Sequence, residues 1–297
     1  MRVKKSPNIR TALMISFLVL VWGINWPLTK YALSYMPPVL FSGTRTLLGG
    51  LLLLPAALPR ARRLQFRATW PVYLISALVN VVLYYGLQTV GLEYLPSGLF
   101  SAIVFLQPVL VGIFSWMWLG ESMNVLKIAG LVLGFVGVGV ICGGSGGLSG
   151  HVSAAGILLA LGSALSWALG TIYIKKTGPR VDHIWLVTLQ LTIGGLFMTA
   201  LGTRTESWVE VRWTPSFTGT LLFISVFVIA IGWLVFYKLM EGGEASKVAS
   251  YTFLIPLVAI LAGTLFLHEP FTVSLLVGLV LILISIYFVN RPRLQDA

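Results

Sequence analysis

Charge is scarce in this sequence. Of 297 residues only 10% are Asp, Glu, Lys or Arg, while 57% are hydrophobic and the mean hydropathy is +0.93. Soluble domains carry roughly 25% charged residues, so a water-soluble globule is excluded. Cysteine is nearly absent. Cys142 stands alone, which rules out an internal disulfide and any cysteine-built metal cluster, and it reads as a small packing residue beside glycines. Titratable groups are also few and peripheral. His151, His183 and His268 sit at edges of apolar runs, and so do the nine carboxylates. Glu93, Glu121, Asp182, Glu206, Glu210, Glu241, Glu244, Glu269 and Asp296 all fall at run ends, in loops or in the tail. There is no HExxH, no cluster of His and Asp within a run, and no phosphate-cradling loop, since "GGSGGLSG" lacks the required arrangement of Lys followed by Ser or Thr. The sequence thus predicts no catalytic residue, no metal and no cofactor.

Apolar sequence, by contrast, is present in lengths that cross a bilayer, about 20 residues. Runs occur at roughly 10–32, 37–58, 70–92, 97–119, 124–143, 153–174, 182–202, 215–238, 247–267 and 271–290. They are continuous rather than alternating, which favours helices over a barrel. The expected fold is an all-α integral membrane protein of ten transmembrane helices. The first run follows a basic "MRVKK", but no small-residue cleavage site closes it and Asn25, Trp26 and Pro27 interrupt it, so it reads as a helix.

The formal charge of +11 raises the question of nucleic acid, and its distribution answers it. With the N-terminus inside, sixteen of the 20 basic residues fall on the cytoplasmic side: Arg2, Lys4, Lys5, Arg10, Arg60, Arg62, Arg63, Arg67, Lys127, Lys175, Lys176, Arg180, Lys238, Lys247, Arg291 and Arg293. Lys30, Arg45, Arg204 and Arg212 are left for the outer half. This bias orients the chain in a membrane, with both termini cytoplasmic. The expected partners are the lipid bilayer and a small-molecule substrate, not nucleic acid.

The chain contains itself twice. Pro108 and Pro256 are separated by the same number of residues as Glu121 and Glu269, Gly130 and Gly278, and Glu93 and Glu241. "LGESMNVLKIAGLVL" faces "LHEPFTVSLLVGLVL" without a gap, and a slightly different offset pairs Trp22 with Trp167 and Lys30 with Lys175. The expected organisation is a five-helix repeat over 1–144, a linker over 145–152 and a second repeat over 153–297. Five is odd, so the second repeat enters the membrane from the opposite side. Inverted repeats mark secondary transporters whose site lies near midplane at the repeat interface. Each copy also places a proline inside an apolar run, in "VFLQPVL" and "TFLIPLV". A proline inside a helix costs about 3 kcal/mol. The pair Pro108 and Pro256 reads as two hinges related by the repeat, against the plainer reading of helix curvature.

The "LGE" and "LHE" ends, each between a proline-bearing helix and a glycine-containing one, resemble the drug/metabolite transporter superfamily, and more narrowly its EamA-type exporters. "WGINWP" and "GTRTLLGGLLLL" match the same pattern, and the resemblance covers essentially the whole chain. It is most similar to the YddG-type exporters of aromatic and other amino acids. Lys247 and His268 depart from the pattern. The resemblance implies a bacterial inner-membrane carrier of ten helices in five-plus-five inverted repeats, reached alternately from each side.

Arg45 lies about eight residues into the second run, roughly 12 Å deep at 1.5 Å per residue, where an ionised group is expensive unless paired or hydrated. It either attracts a substrate carboxylate or braces neighbouring helices; EamA-type proteins commonly carry Arg there. Lys30 reads as snorkelling to the interface. The other substrate-binding candidates are Trp22, Asn25 and Trp26; Tyr84, Tyr85 and Gln88; Gln107; and Trp167, Thr171, Gln190, Trp233, Tyr237 and Tyr251, with Phe236 among the same aromatics. An amide in hydrocarbon without a partner costs several kcal/mol, so these amides face protein or water. Aromatic walls with a few polar groups make a small-molecule site. Against this, Trp and Tyr also form interfacial belts, to which Trp70, Tyr73, Trp116, Trp118, Trp208 and Trp213 are assigned. Gly130, Gly134, Gly137 and Gly139 read as helix packing, with a dimer contact as the alternative; a monomer or weak homodimer is expected.

No Asp, Glu or His lies where a proton-coupled carrier usually keeps one, so uncoupled or exchange transport is expected. The function read from the sequence is export of amino acids, aromatic and other neutral ones. The alternatives are another small metabolite or drug, a channel, or a membrane-embedded lipid-modifying enzyme.

Overall fold

A computed structural model describes residues 9–144, 153–242, 245–268 and 272–290. The expected linker 145–152, with His151, and also Glu244, Glu269 and both chain ends lie outside the described residues, as do the side chains of Cys142 and Lys247. The chain folds into α1 (Ile9–Ala32), α2 (Pro38–Arg63), α3 (Phe66–Tyr94), α4 (Ser97–Leu119), α5 (Val125–Gly144), α6 (Ala154–Arg180), α7 (His183–Thr205), α8 (Pro215–Glu241), α9 (Ala245–Tyr251 continuing through Thr252–Leu267) and α10 (Val273–Asn290). Among the described residues 7 of these helices, α1–α4 and α6–α8, are long and apolar enough to cross a membrane, and three shorter apolar stretches lie in α5, α9 and α10. The protein is an all-α, multi-helix integral membrane protein.

Local chemistry sets the helix limits. Pro38 and Pro215 occupy first turns, where a missing N–H is harmless. Asp182 caps α7 by accepting from the N–H of Ile184 (3.0 Å) and Trp185 (3.3 Å). The N-terminus of α2 has no cap of its own; Glu206, at the end of α7, accepts from the N–H of Val39 (2.9 Å) and Leu40 (2.7 Å). α4 and α9 end on left-handed residues, Gly120 (φ 67°) and His268 (φ 55°). Gly120 accepts that conformation freely, whereas His268 is strained by its Cβ.

Both prolines break their helices at the same place. In α4 the regular helix stops at Val104 and resumes at Gln107, and in α9 a 3₁₀ turn over Thr252–Leu254 precedes Ile255 and Pro256. Proline removes a donor and its ring crowds the carbonyl four residues back, so the break falls just before it. α3 and α8 each contain a π turn instead, over Leu78–Leu83 and Ile224–Ile231. The wider turn rotates the residues after it, so Tyr84 and Tyr85 in α3, and Trp233 in α8, turn inward.

Glycines seat two helix crossings. A Cβ built on Gly50 of α2 would lie 2.6 Å from the amide nitrogen of Thr192 in α7, and one on Gly195 of α7 would lie 2.3 Å from that of Leu47 in α2. On the other side of the bundle, Gly130 and Gly137 of α5 face the carbonyls of Ser285 and Gly278 in α10 at 2.9 and 2.8 Å on the same construction. Gly134 also faces α10 through Ser285, while Gly139 has nothing within 4 Å among the described residues. Gly130, Gly134 and Gly137 therefore pack within the chain.

Two expectations are corrected. Tyr73 is not in an interfacial belt: it is buried, stacked on Phe66 at 6.0 Å, and its hydroxyl accepts from Thr69 Oγ1 at 3.1 Å. Trp70, Trp116, Trp118, Trp208 and Trp213 are exposed. Lys30 does not snorkel outward. Its ammonium donates to the carbonyls of Leu92 and of Leu95 (3.1 Å), because the last carbonyls of a membrane helix have neither a following turn nor bulk water.

Candidate functional site

Five helices meet at the centre. Trp22, Asn25 and Trp26 share one face of α1 because three and four residues make one turn. They converge with Tyr84 and Tyr85 of α3, Phe105 at the break in α4, Trp167 of α6, and Val228 and Trp233 of α8. The rings lock together. Trp22 and Trp167 meet edge to face at 5.5 Å, and Tyr84 lies 5.1 Å from Trp167. Trp233 Nε1 donates to the Tyr85 hydroxyl at 2.7 Å. Trp22 Nε1 donates to the carbonyl of Val228, inside the π turn of α8, at 3.1 Å. The space these residues enclose is about 10 Å³, room for one water at most. A usual small-molecule pocket is roughly 300–1,000 Å³. The chamber is closed on itself.

Polar side chains form a layer behind the aromatics. Arg45 donates from Nη1 to Thr29 Oγ1 (3.0 Å) and from Nη2 to Gln88 Oε1 (3.1 Å), with the rings of Tyr85 and Phe41 at 4.7 and 5.1 Å from its Cζ. At the matching place in α7, Gln190 Oε1 accepts from the Tyr237 hydroxyl (2.9 Å) and Asn80 Nδ2 (3.4 Å). Gln107 Nε2 donates to Thr171 Oγ1 at 3.3 Å. No group of three or more His, Cys, Asp or Glu that could hold a metal occurs among the described residues.

A second cavity, about 210 Å³, opens at the arginine-rich end between α6, α7 and α8, lined by Lys175, His183, Tyr237 and Glu241 among others. His183 Nδ1 lies 2.7 Å from Glu241 Oε1 there. Tyr237 lines this cavity while its ring packs 5.4 Å from Trp233. It therefore stands between the vestibule and the chamber.

A family model for EamA-like transporters matches this chain twice, over residues 9–143 and 154–291. The chain belongs to the EamA-like transporter family. It is 64% identical over 296 residues to the uncharacterized transporter YvbV of Bacillus subtilis, a match covering 99% of this chain and 96% of the relative. It is 27% identical over 294 residues to a probable amino-acid metabolite efflux pump of Escherichia coli, covering 91% of each. A solved crystal structure shares the fold, with a TM-score of 0.76 at 18% identity over 95% of this chain and 97% of the other. Membership makes the protein a transporter of small metabolites rather than an enzyme.

Seen as one of this family, the chain places most of its sequence-selected residues together. Trp22, Asn25, Trp26, Tyr84, Tyr85, Trp167 and Trp233 line the chamber. Arg45, Gln88, Gln107, Thr171, Gln190 and Tyr237 form the layer behind it. Tyr251, half-buried early in α9, does not line it. Phe105, Val228, Thr29 and Asn80 escaped the sequence reading. Phe105 sits three residues before Pro108, inside the quoted "VFLQPVL", and Thr29 follows Asn25 by one helical turn; each spacing could have found its residue. Val228 and Asn80 reach the site through π turns, which no pattern in the sequence announces.

Proposed function

We propose that this protein is a secondary exporter of amino acids, aromatic and other neutral ones, in a bacterial inner membrane, working by alternating access without proton coupling or by exchange. On this reading α1–α5 and α6–α10 are ten spans in two inverted five-helix repeats, 1–144 and 153–297, joined by 145–152. The arginine-rich end and both termini face the cytoplasm. The observation that carries the proposal is the meeting of matched residues at the centre: Trp22 touches Trp167, and Tyr85 is bonded to Trp233. Each pair unites corresponding positions of the two halves, as expected of a site at a repeat interface. The double family match supports the same division, and the efflux-pump relative supports the cargo.

The mechanism follows from the packing. With room for one water, the chamber corresponds to a closed intermediate, and substrate enters only if rings separate. Bending at Pro108 and at Pro256 opens opposite ends, because α4 and α9 run in opposite directions. Tyr237 is the inner door, since it divides the vestibule from the chamber. The lining holds no carboxylate or histidine among the described residues, which supports transport set by substrate gradients. The aromatic walls and polar backing serve as binding groups, with Pro108 and Pro256 as hinges.

Purified protein in liposomes loaded with unlabelled phenylalanine, threonine or methionine should take up trace labelled amino acid by counterflow, and collapsing a pH gradient should leave uptake intact. Absence of counterflow for every amino acid would redirect the cargo to another metabolite or drug. Uptake that ceases with the pH gradient would overturn the uncoupled mechanism.

A further inference from the structure

Arg45 is completely buried, and among the described residues no carboxylate pairs with it. Its guanidinium, which stays protonated in proteins, rests only on neutral groups: the Thr29 hydroxyl, the Gln88 amide oxygen and the faces of Tyr85 and Phe41. A buried cation so held is costly until something negative completes it.

Two of its supports reach the chamber. Tyr85 lines it directly. Thr29, which accepts from Arg45, donates in turn to Asn25 Oδ1 at 3.2 Å, and Asn25 lines the chamber as well. That relay occupies the amide oxygen of Asn25 and leaves its N–H groups to offer. Two further buried donors on this side, Arg45 Nε and Gln88 Nε2, have no partner among the described residues. Of the unpartnered amide and guanidinium atoms, those on this side are N–H donors. Across the chamber the unpartnered atoms are mixed: Gln107 Oε1 and Asn80 Oδ1 accept, while Trp167 Nε1 and Gln190 Nε2 donate. The position of α7 that matches Arg45 holds Gln190, which is neutral. The chamber is thus biased positive from one side only.

We propose that Arg45, Thr29, Asn25 and Gln88 form a carboxylate-selecting side of the chamber, which admits zwitterions and monoanions and rejects molecules whose only charge is positive. The inference rests on the chamber being the transport site. Arg45 acts from behind Tyr85 and through Thr29, so it is a positioning residue that sets the local field. A substrate carboxylate on this side accepts from the Asn25 amide N–H and lies in the field of Arg45, while the aromatic rings opposite take an apolar side chain or, by cation–π contact, an ammonium.

The test uses wild-type protein in detergent at about pH 6, where amines are protonated and carboxylates ionised, and a matched series of ligands: 3-phenylpropionate (anion), phenylalanine (zwitterion), and phenylalaninamide and phenethylamine (cations). Binding is read by tryptophan fluorescence, because Trp22, Trp26, Trp167 and Trp233 line the chamber. The anion and the zwitterion should bind at least tenfold more tightly than either cation. Thr29→Val, which keeps the charge but cuts the relay, should shrink that ratio several-fold, and Arg45→Gln should abolish it. Equal or tighter binding of the cations, a ratio unmoved in Thr29→Val and Arg45→Gln, or no response to any of the four would overturn the inference. If carboxylate preference is found while liposomes show no amino-acid counterflow, the cargo proposed above fails and the charge selection stands.

Discussion

Lys30 in α1 and Lys175 in α6 hold matching positions in the two halves of the chain, and they do matching work. Lys30 donates to the final carbonyls of α3, at Leu92 and Leu95; Lys175 donates to Met240 at the end of α8, at 2.5 Å. The frame around them is duplicated in the same way, in the proline breaks, the π turns and the glycine crossings. At the centre the halves part company. Gln190 of α7 stands at the position matching Arg45 and Trp233 at the position matching Tyr85; away from the centre, the left-handed cap at Gly120 is answered by His268. The duplicated residues thus set where helices cross and bend, while single differences at corresponding places set the chemistry around the chamber. The comparison can be attacked residue by residue.

The largest effect is expected where matched glycines hold α2 against α7. Gly50→Leu and Gly195→Leu each push a side chain into the partner's backbone, which cannot yield as a side-chain tip would. Overpacking of this kind costs about 1–3 kcal/mol, occasionally more, and these sites belong at the upper end. Both variants should lose the folded, monodisperse peak in size exclusion, whereas Gly139→Leu, with nothing within 4 Å, should keep it. A crossing that tolerates one substitution and not the other would break the equivalence.

A smaller difference separates the two central tryptophans. Trp22 Nε1 is bonded to Val228, while Trp167 Nε1 is buried with no partner among the described residues. Removing the first donor forfeits a hydrogen bond, and removing the second forfeits none. Trp22→Phe should therefore cost about 1 kcal/mol more than Trp167→Phe in thermal unfolding. Equal costs would mean that the two rings sit in equivalent environments after all.

His268→Gly should raise stability by about 1 kcal/mol, because its φ of 55° costs a side-chain-bearing residue roughly 1–2 kcal/mol. The reciprocal Gly120→His should lower it by a similar amount. Unfolding midpoints that move together, or not at all, would show that the cap at His268 is not strained.

Most of the frame was legible from residue types whose physical meaning is local. Proline marks the two breaks, the glycines of α5 mark its crossing with α10, and the peripheral carboxylates mark the helix ends, whereas Gly50 and Gly195 of the other crossing carry no such signal. The aromatic candidates converged because α1 presents residues three and four apart on one face. What stayed hidden depends on long-range geometry. A π turn has no sequence signature, so Val228 and Asn80 were invisible. Lys30 looked like an interfacial lysine until its partner carbonyls, over sixty residues away, were in place. Tyr73 was taken for a belt residue because nothing in "WPVYL" reveals that Phe66 lies beneath it. The closure of the chamber is likewise a property of packed rings, which composition cannot supply.

The smallest effect contrasts the starts of α2 and α7. α7 is capped by its own Asp182, and α2 by a carboxylate borrowed from Glu206. Burial pushes the Asp182 carboxyl up. The N–H of Trp185, the Arg60 guanidinium (3.1 Å) and the N–H of Ile184 outweigh that and hold it below its ordinary value of 3.8. A depressed carboxylate contributes stability that is full above the ordinary value and is lost as pH falls through the lower folded value. Wild-type protein should therefore lose stability progressively below about pH 4, and Asp182→Asn, which keeps a capping oxygen but cannot ionise, should show a shallower decline over the same window. At neutral pH, Asp182→Ala should cost about 1 kcal/mol for the lost cap. Identical acid profiles for wild type and Asp182→Asn would mean that the cap acts through its hydrogen bonds alone, and that Arg60 adds orientation without pH-dependent stability.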